Sequence, residues 1–575
     1  MAHVITQQCC NDASCIPECP VDCIRPTPDQ PEFARAEMLY IDPASCIDCG
    51  ACVDVCPVDA ISPDEDLVGL PARFTDINAA YFRRYPLQAD VTSPLPAAQR
   101  LPKGHPPLRV AIVGSGPAGC YAAAELLARA DVEITMLEKL PTPWGLVRAG
   151  VAPDHPDTRS VTDTFAQTLA ALRCYLNTSV GEHISVAELL EHHHAVIVAV
   201  GAAADRRLGV PGEDLPGCHS TTEFVGWYNG HPGYSEHSFD LSGERAVLVG
   251  NGNVALDVAR MLAAEPRDLA RTDMADYAIS ALQDSKIREV VVLGRRGPVQ
   301  AAYTGPEFLG LAYLPGADVL INECELMLDP HSQALADDPA ADPSLQLKLK
   351  LAQQYSRTAP LPILGRKHIR LRYLVAPVAV HGTDRVESLE LAHTEIVSRD
   401  GELVARTTDR TETIATSLVL RSIGSRGVPL PGLPFDERRG LIPNERGRVL
   451  SAEQRPMPGV YVTGWIKRGP VGVIGTNRTC AQETVDQLLA DFADGSLANP
   501  SRSRESLTEL LAERQPDAID HAAWQAIDAA ERAAGRRHGR PRVKLTSTDA
   551  LLQVARSATE AEPDRSRSAA ERALA

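Results

Sequence analysis

Nine of the 14 cysteines fall within residues 1–62, and their spacing is the strongest chemical signal in the chain. Cys46, Cys49, Cys52 and Cys56 form a Cys-x2-Cys-x2-Cys-x3-Cys run followed by Pro57. Three thiolates so spaced wrap three corners of an iron–sulfur cubane, and the cysteine before proline reaches across to a second cluster. Cys19, before Pro20, is the reciprocal donor. One cluster is therefore expected on Cys19, Cys46, Cys49 and Cys52, and the other on Cys9, Cys15 and Cys56. Zinc also accepts four thiolates, but two interlocked runs that each end in Cys-Pro favour iron–sulfur chemistry. Cys10 and Cys23 are surplus and read as packed thiols. Asp12 stands where the run would place a thiolate of the first site. Carboxylate is a harder and weaker ligand for this iron. The expected pair is thus one [4Fe-4S] cluster and one that is either [3Fe-4S] or a labile [4Fe-4S] with Asp12 or water at one iron. The alternative is a local rearrangement that brings Cys10 to that corner.

A second chemistry is written in two glycine turns. Gly114-Ser-Gly116-Pro-Ala118-Gly119 separates a strand pattern from a helix pattern, the context that gives this motif meaning. The first glycine permits the turn, the second lets a pyrophosphate approach, and the third lets helix pack on strand. Glu138 ends the next strand, where a carboxylate accepts from ribose hydroxyls and repels a 2′-phosphate. This site is expected to take FAD or NAD. Gly250-Asn-Gly252-Asn253-Val-Ala255 repeats the device, but Arg295 and Arg296 stand at the end of its next strand. Guanidinium forks match phosphate oxygens, so this site is expected to prefer NADPH. The longer spacing is assigned to an insertion over Glu265–Glu289 that carries an extra helix. Flavin and nicotinamide on one chain would allow a hydride to enter and electrons to leave singly.

The elements that must position these groups follow from hydrophobic pattern. Arg109–Val113 and Val132–Glu138 read as buried parallel strands around a helix Pro117–Ala130. The same grammar returns at Ala246–Val249, Val254–Ala263 and Glu289–Leu293, implying two doubly wound units. Ala195–Ala202 and Leu418–Ser425 read as the crossings at which the second unit is inserted in the first. In the N-terminal unit, Cys15–Ile24 and Cys52–Ile61 are related repeats, suggesting two copies of one motif about a pseudo-two-fold. The fold class is thus an α+β dicluster module followed by two doubly wound α/β domains, one for FAD and one for NADP. The expected division is 1–66 for the cluster domain and 67–106 for a linker, proline-rich from Pro86 to Pro107. The flavin domain takes 107–205 with 425–556, the nicotinamide domain 206–424, and a disordered tail 557–575. His192-His-His194, at an expected helix end, reads as solvent-facing, since consecutive helical residues diverge and cannot share a metal.

Composition bounds the partners. The net charge of −18 argues against nucleic acid, and residues 1–62 carry ten acidic residues against Arg25 and Arg35. No apolar run is long enough to span a bilayer, and the N-terminus lacks the marks of a secretory signal. A cytoplasmic protein without membrane attachment is expected.

Residues 1–62 resemble the bacterial dicluster ferredoxins, small one-electron carriers. Residues 107–556 resemble the adrenodoxin-reductase family of ferredoxin–NADP reductases. That resemblance rests on Leu140–Pro156, Gly250–Asp257, Leu293–Pro298 and Thr463–Gly475, where Gly464-Trp465 replaces the usual Gly-Asp. It implies that Ala118, Glu138, Leu146 and Val180 line FAD, with Trp465, Gly472, Val473 and Ile474 at its isoalloxazine end. Arg206, Asn253, Arg295, Arg296 and Glu307 would line NADPH. His155 and Asp257 match positions near the flavin, although hydride transfer itself needs no protein acid or base, and His155 reads as structural. The whole resembles a ferredoxin fused to its reductase, passing electrons from NADPH through FAD and clusters to a redox protein such as a cytochrome P450 or another ferredoxin. The alternatives are an electron-input subunit similar to the small subunit of glutamate synthase, and a docking module whose clusters are only structural.

Overall fold

The computed structural model describes residues 2–87, 100–101, 105, 107–338, 342–357 and 366–558. The N-terminal unit is built from two small antiparallel pairs. His3–Ile5 pairs with Ile61–Pro63, and Ile24–Arg25 pairs with Tyr40–Ile41. Ile24 and Ile61 close the two sequence repeats and occupy corresponding strands, the arrangement the repeat suggests.

Residues 67–106 are not all linker. Arg73–Arg84 is a helix with Phe74, Asn78, Tyr81 and Phe82 buried. Their spacing puts them on one face, which packs on the cluster unit with Tyr81 stacked on Tyr40 at 4.2 Å. Asn78 ties the helix in. Its Oδ1 accepts from the Ile41 amide at 2.8 Å, and its Nδ2 donates to the Ile5 carbonyl at 2.9 Å. The cluster unit therefore extends to about residue 85, and most of the proline-rich stretch lies outside the described residues.

A seven-stranded sheet follows. Its order is Asn444–Glu445, Arg448–Leu450, Pro456–Val462, Ala195–Val198, Leu108–Val113, Val132–Glu138, Arg173–Leu176, and it is parallel from Pro456–Val462 onward. A fully parallel six-stranded sheet runs Cys218–Ser220, Leu418–Arg421, Arg245–Val249, Glu289–Leu293, Lys367–Arg372, Ala317–Ile321. Residues 110–113, 195–198, 246–249 and 290–293, at the centres of the two sheets, are wholly apolar and buried, as parallel strands covered on two faces must be. The chain passes between them through Ala204–Asp205, paired antiparallel with Ser425–Arg426. The insertion after the second glycine turn carries two short helices, Pro266–Leu269 and Asp276–Gln283. A three-stranded antiparallel meander of Val375–His381, Ser388–Arg399 and Glu402–Ala415 flanks the six-stranded sheet.

Two expectations are corrected here. His192, His193 and His194 are buried, not solvent-facing, at 1%, 3% and 6% exposure. The helix Val186–His192 ends there, and the chain turns directly under the sheet into the buried strand Ala195–Val198. Their rings do diverge. His192 meets the Ser503 carbonyl, His193 bridges the Leu189 carbonyl and Thr135 Oγ1, and His194 accepts from the Arg109 amide. At the other end, residues 548–558 are helical, so the expected tail does not begin at 557, and 559–575 lie outside the described residues.

Candidate functional site

The two glycine turns leave the carboxyl ends of Leu108–Val113 and Arg245–Val249, each flanked on both sides by strands that come later in the chain, so that the connections depart in opposite directions. This is the switch point where open α/β sheets bind ligands. The glycines are required by contact. Gly114 has φ +106°, and a Cβ there would come within 2.6 Å of the Ala199 carbonyl. Gly250 has φ +114°, and its Cβ would overlap the Ser422 carbonyl. Gly119 has no room either, lying against the Gly114 carbonyl, and Ala255 takes the third place of the second turn fully buried. Gly116 and Gly252 face open space instead. Both start helices, Pro117–Arg129 and Asn253–Ala263, that have no side-chain cap. Open space before uncapped amides fits a diphosphate.

The strand ends differ in sign. Glu138 is buried and accepts from the Ser115 amide and hydroxyl, both at 2.9 Å, and from the Leu140 amide at 3.0 Å. A carboxylate offers about four acceptor positions, so the brace leaves capacity for a ribose hydroxyl. Arg295 and Arg296 are exposed, and neither guanidinium has an ion-pair partner among the described residues. Partial desolvation of its guanidinium and the neighbouring Arg295 push Arg296 down. Two adjacent cations without an anion fit a phosphate ester. Arg206, likewise exposed, lies beside Gly424, 3.9 Å from a Cβ there. Asn253 Oδ1 accepts from the Thr304 amide at 2.8 Å, fixing the turn to the loop that leads to Glu307.

Ala118 and Val180 are buried, Leu146 is 47% exposed, and Gly464 faces Ala118 closely, where a Cβ would come within 2.5 Å. Trp465 Nε1 is buried without a hydrogen-bond partner among the described residues, the mark of a donor waiting for a ligand acceptor. Gly472 has φ +86°, and Val473 donates to Thr476 Oγ1 at 3.1 Å. This turn carries Ile474 onto the apolar cluster of Ala118 and Tyr121.

Between the two sheets lies a charge cluster that sequence reasoning missed in part. Arg260 is buried. Its Nη1 lies 2.8 Å from Glu307, its Nη2 2.7 Å from Asp257 and 3.0 Å from His155 Nε2, and its Nε 3.0 Å from Asp154. Ligand atoms of His155, Asp257 and Glu307 lie within 4.8 Å of one another. Burial, with Glu307 and Asp154 adding to it, raises Asp257 to about 6 against the pull of Arg260 and His155. Burial also opposes ionisation of Asp154, but Arg260 and His155 outweigh it and hold Asp154 low. Arg260 follows Asp257 by one helical turn inside an apolar stretch, Val258-Ala-Arg-Met-Leu-Ala263. A cation so placed was a readable sign of buried acidic partners.

In the N-terminal unit, a cavity is lined by Cys19, Cys46, Cys49 and Cys52, with Cys23 beside them. Cys19 and Cys23 sulfurs are 3.5 Å apart, and the Cys23 hydrogen bond, despite desolvation, lowers Cys19 to about 6. Cys9, Cys15 and Cys56 form the second group. Burial pushes Cys9 up to about 12 and Cys15 well above its ordinary range, with Cys9 and Cys56 adding charge repulsion at Cys15. Buried thiols that resist ionisation alone become thiolates only beside metal cations, so the donor set fits iron. Cys10 is buried and turned toward the reductase core. The Asp12 carboxylate accepts from the Ser14 amide at 3.2 Å and the Ser14 hydroxyl at 2.5 Å, and it lies 3.7 Å from Arg478.

The comparisons with known proteins follow the same division. A 4Fe-4S binding domain model matches residues 39–62, and a pyridine nucleotide-disulphide oxidoreductase model matches residues 108–268. The probable ferredoxin/ferredoxin–NADP reductase of Mycobacterium tuberculosis is 49% identical over 570 residues, covering 97% of this chain and 96% of the relative. The NADPH-ferredoxin reductase FprA of the same organism is 47% identical, covering 78% of this chain and 99% of its own. The structure of that FprA in complex with NADPH superposes with a TM-score of 0.74 at 46% identity, covering 78% of this chain and all of the other.

Proposed function

The chain belongs to the ferredoxin/ferredoxin–NADP reductases, and from that premise we propose how its residues divide the work. The protein is an oxidoreductase that passes electrons from NADPH through FAD to iron–sulfur clusters of its own and on to an external acceptor. When bound, FAD accepts a hydride and releases electrons singly, and the clusters carry them one at a time. The observation that carries the assignment of cofactors to sites is the contrast between two equivalent glycine turns, one ending on Glu138 and the other on Arg295 and Arg296.

On this reading Gly114, Gly116, Gly119 and the first amides of Pro117–Arg129 hold the FAD diphosphate, and Glu138 takes its ribose. Ala118, Leu146 and Val180 line the flavin, while Trp465, Gly472, Val473 and Ile474 close its ring end. Gly250, Gly252, Asn253 and Arg206 hold NADPH, with Arg295 and Arg296 on the 2′-phosphate. Glu307 and Asp257 sit at the nicotinamide end, oriented by Arg260. His155 is a positioning residue that steadies Arg260.

Cys19, Cys46, Cys49 and Cys52 hold a [4Fe-4S] cluster. Cys9, Cys15 and Cys56 hold a [3Fe-4S] cluster or a labile [4Fe-4S] one. Asp12 is engaged by Ser14 and Arg478, which favours the three-thiolate form. The acceptor is a redox protein, a cytochrome P450 or a separate ferredoxin, met in the cytoplasm. Anaerobic mixing of the purified protein with NADPH tests the reading. Flavin bleaching followed by an EPR change from the clusters is expected, with NADH much slower. Bleaching without any cluster response would reduce the N-terminal unit to a docking module.

A further inference from the structure

The N-terminal unit is packed against the reductase, and the packing is not symmetric between its two groups of thiols. The loop Cys9–Ser14 meets the turn that starts the helix Thr476–Ala493. The Gly475 amide donates to the Cys10 carbonyl at 2.7 Å. Gly475 has ordinary helical dihedrals, φ −69° and ψ −24°, so its identity is not a matter of backbone freedom. A Cβ there would overlap the Cys10 carbonyl and the backbone of Asn11 and Asp12. One turn further, Arg478 Nη1 donates to the Asp12 carbonyl at 3.1 Å and to Ser14 Oγ at 2.5 Å. Arg478 also lies 3.7 Å from Glu125. The Ser160 hydroxyl donates to the Pro57 carbonyl at 2.8 Å, beside Cys56. Cys9, Cys10, Cys56 and Val58 join the apolar cluster that contains Ala118, Tyr121 and Ile474. At the opposite end Cys49 is exposed and Ile47 is 59% exposed.

We infer that Gly475 and Arg478 form an internal docking site that holds the Cys9–Cys15–Cys56 end of the ferredoxin unit against the flavin domain, so that electrons enter there and reach the Cys19–Cys46–Cys49–Cys52 end second. This rests on the electron-transfer reading above and adds to it the order of the two cluster sites. A second contact keeps the orientation. Glu37 accepts from the Gly305 amide at 2.6 Å and lies 3.3 Å from Lys348 Nζ, both in the nicotinamide domain. A unit clamped to both domains does not swing away at each turnover. The hydride of NADPH brings an electron pair; the electrons cross this interface singly, the proton passes to solvent, and no covalent bond forms or breaks between the domains.

The test is stopped-flow flavin bleaching by NADPH together with rapid-freeze EPR of the clusters, in the full chain. Arg478→Glu, which sets a carboxylate against Asp12 and Glu125, is expected to leave bleaching unchanged and to slow cluster reduction at both sites by about tenfold or more, the scale of one lost charge-assisted contact. Gly475→Ala is the second variant, read as the ratio of cluster reduction to bleaching, which is expected to fall likewise. Ile47→Arg, at the far end, is expected to leave that ratio unchanged. Equal ratios in Arg478→Glu, Gly475→Ala and the unmodified protein would overturn the proposal, as would a slowing confined to Ile47→Arg. If NADPH fails to bleach the unmodified protein, the nicotinamide reading falls, and photoreduction of the flavin then tests the interface by the same EPR ratio.

Discussion

Arg260 Nε lies 3.0 Å from the carboxylate of Asp154, joining the helix of the second glycine turn to the segment that follows the first. The same guanidinium meets Asp257 and Glu307. Arg260→Met would leave three acidic groups facing one another in a buried place. Breaking such a network costs about 3–5 kcal/mol, so a lower denaturation midpoint is expected in urea. Flavin reduction by NADPH should slow in the same variant, and the two effects together distinguish this link from a surface ion pair.

The nucleotide preference resides in Arg295 and Arg296. Replacing both with neutral residues should raise the NADPH KM by about two to four decades if the contacts are additive, with little change for NADH. Steady-state kinetics with the two nucleotides checks this, and an unaltered preference would sink the assignment.

Burial lowers His193 to about 4, with the hydrogen bond to the Leu189 carbonyl resisting and the neighbouring His192, Arg109 and Arg504 assisting. An unfolded histidine titrates near pH 6.5. The folded value is depressed, so the contribution to stability is full above about pH 6.5 and is lost as pH falls through about 4. Thermal denaturation between those limits should show the loss. His193→Gln, which keeps hydrogen-bonding groups without the proton uptake, should flatten that limb.

The first cluster should be the labile one. Iron analysis and EPR on aerobically and anaerobically prepared protein should show one cluster interconverting and one unchanged. Asp12→Cys should fix the labile site as [4Fe-4S]. Eight irons surviving air in the native protein would rule the idea out.

What was legible in the chain was local. The cysteine runs and glycine turns announce themselves because each device is complete within a dozen residues, and strand Val132–Glu138 keeps the bounds its pattern predicts. Long-range contacts left weaker marks. Nothing near Glu37 points to Lys348, and nothing near Asp12 points to Arg478, because each partner is hundreds of residues away. The histidines mislead for a related reason: their rings diverge, but only His192 is helical, and the chain turns extended at His193 to pass beneath the sheet. Arg73–Arg84 escaped because its apolar face is sparse and it adjoins a proline-rich stretch that suggested a connector.

That helix decides how the protein can be taken apart. A fragment ending at residue 66 would expose Phe74's pocket and strand the Ile5 and Ile41 amides that Asn78 satisfies. A free carrier made for grafting onto another reductase must therefore run through Tyr85, and one cut earlier should be recovered as an insoluble or cluster-poor product.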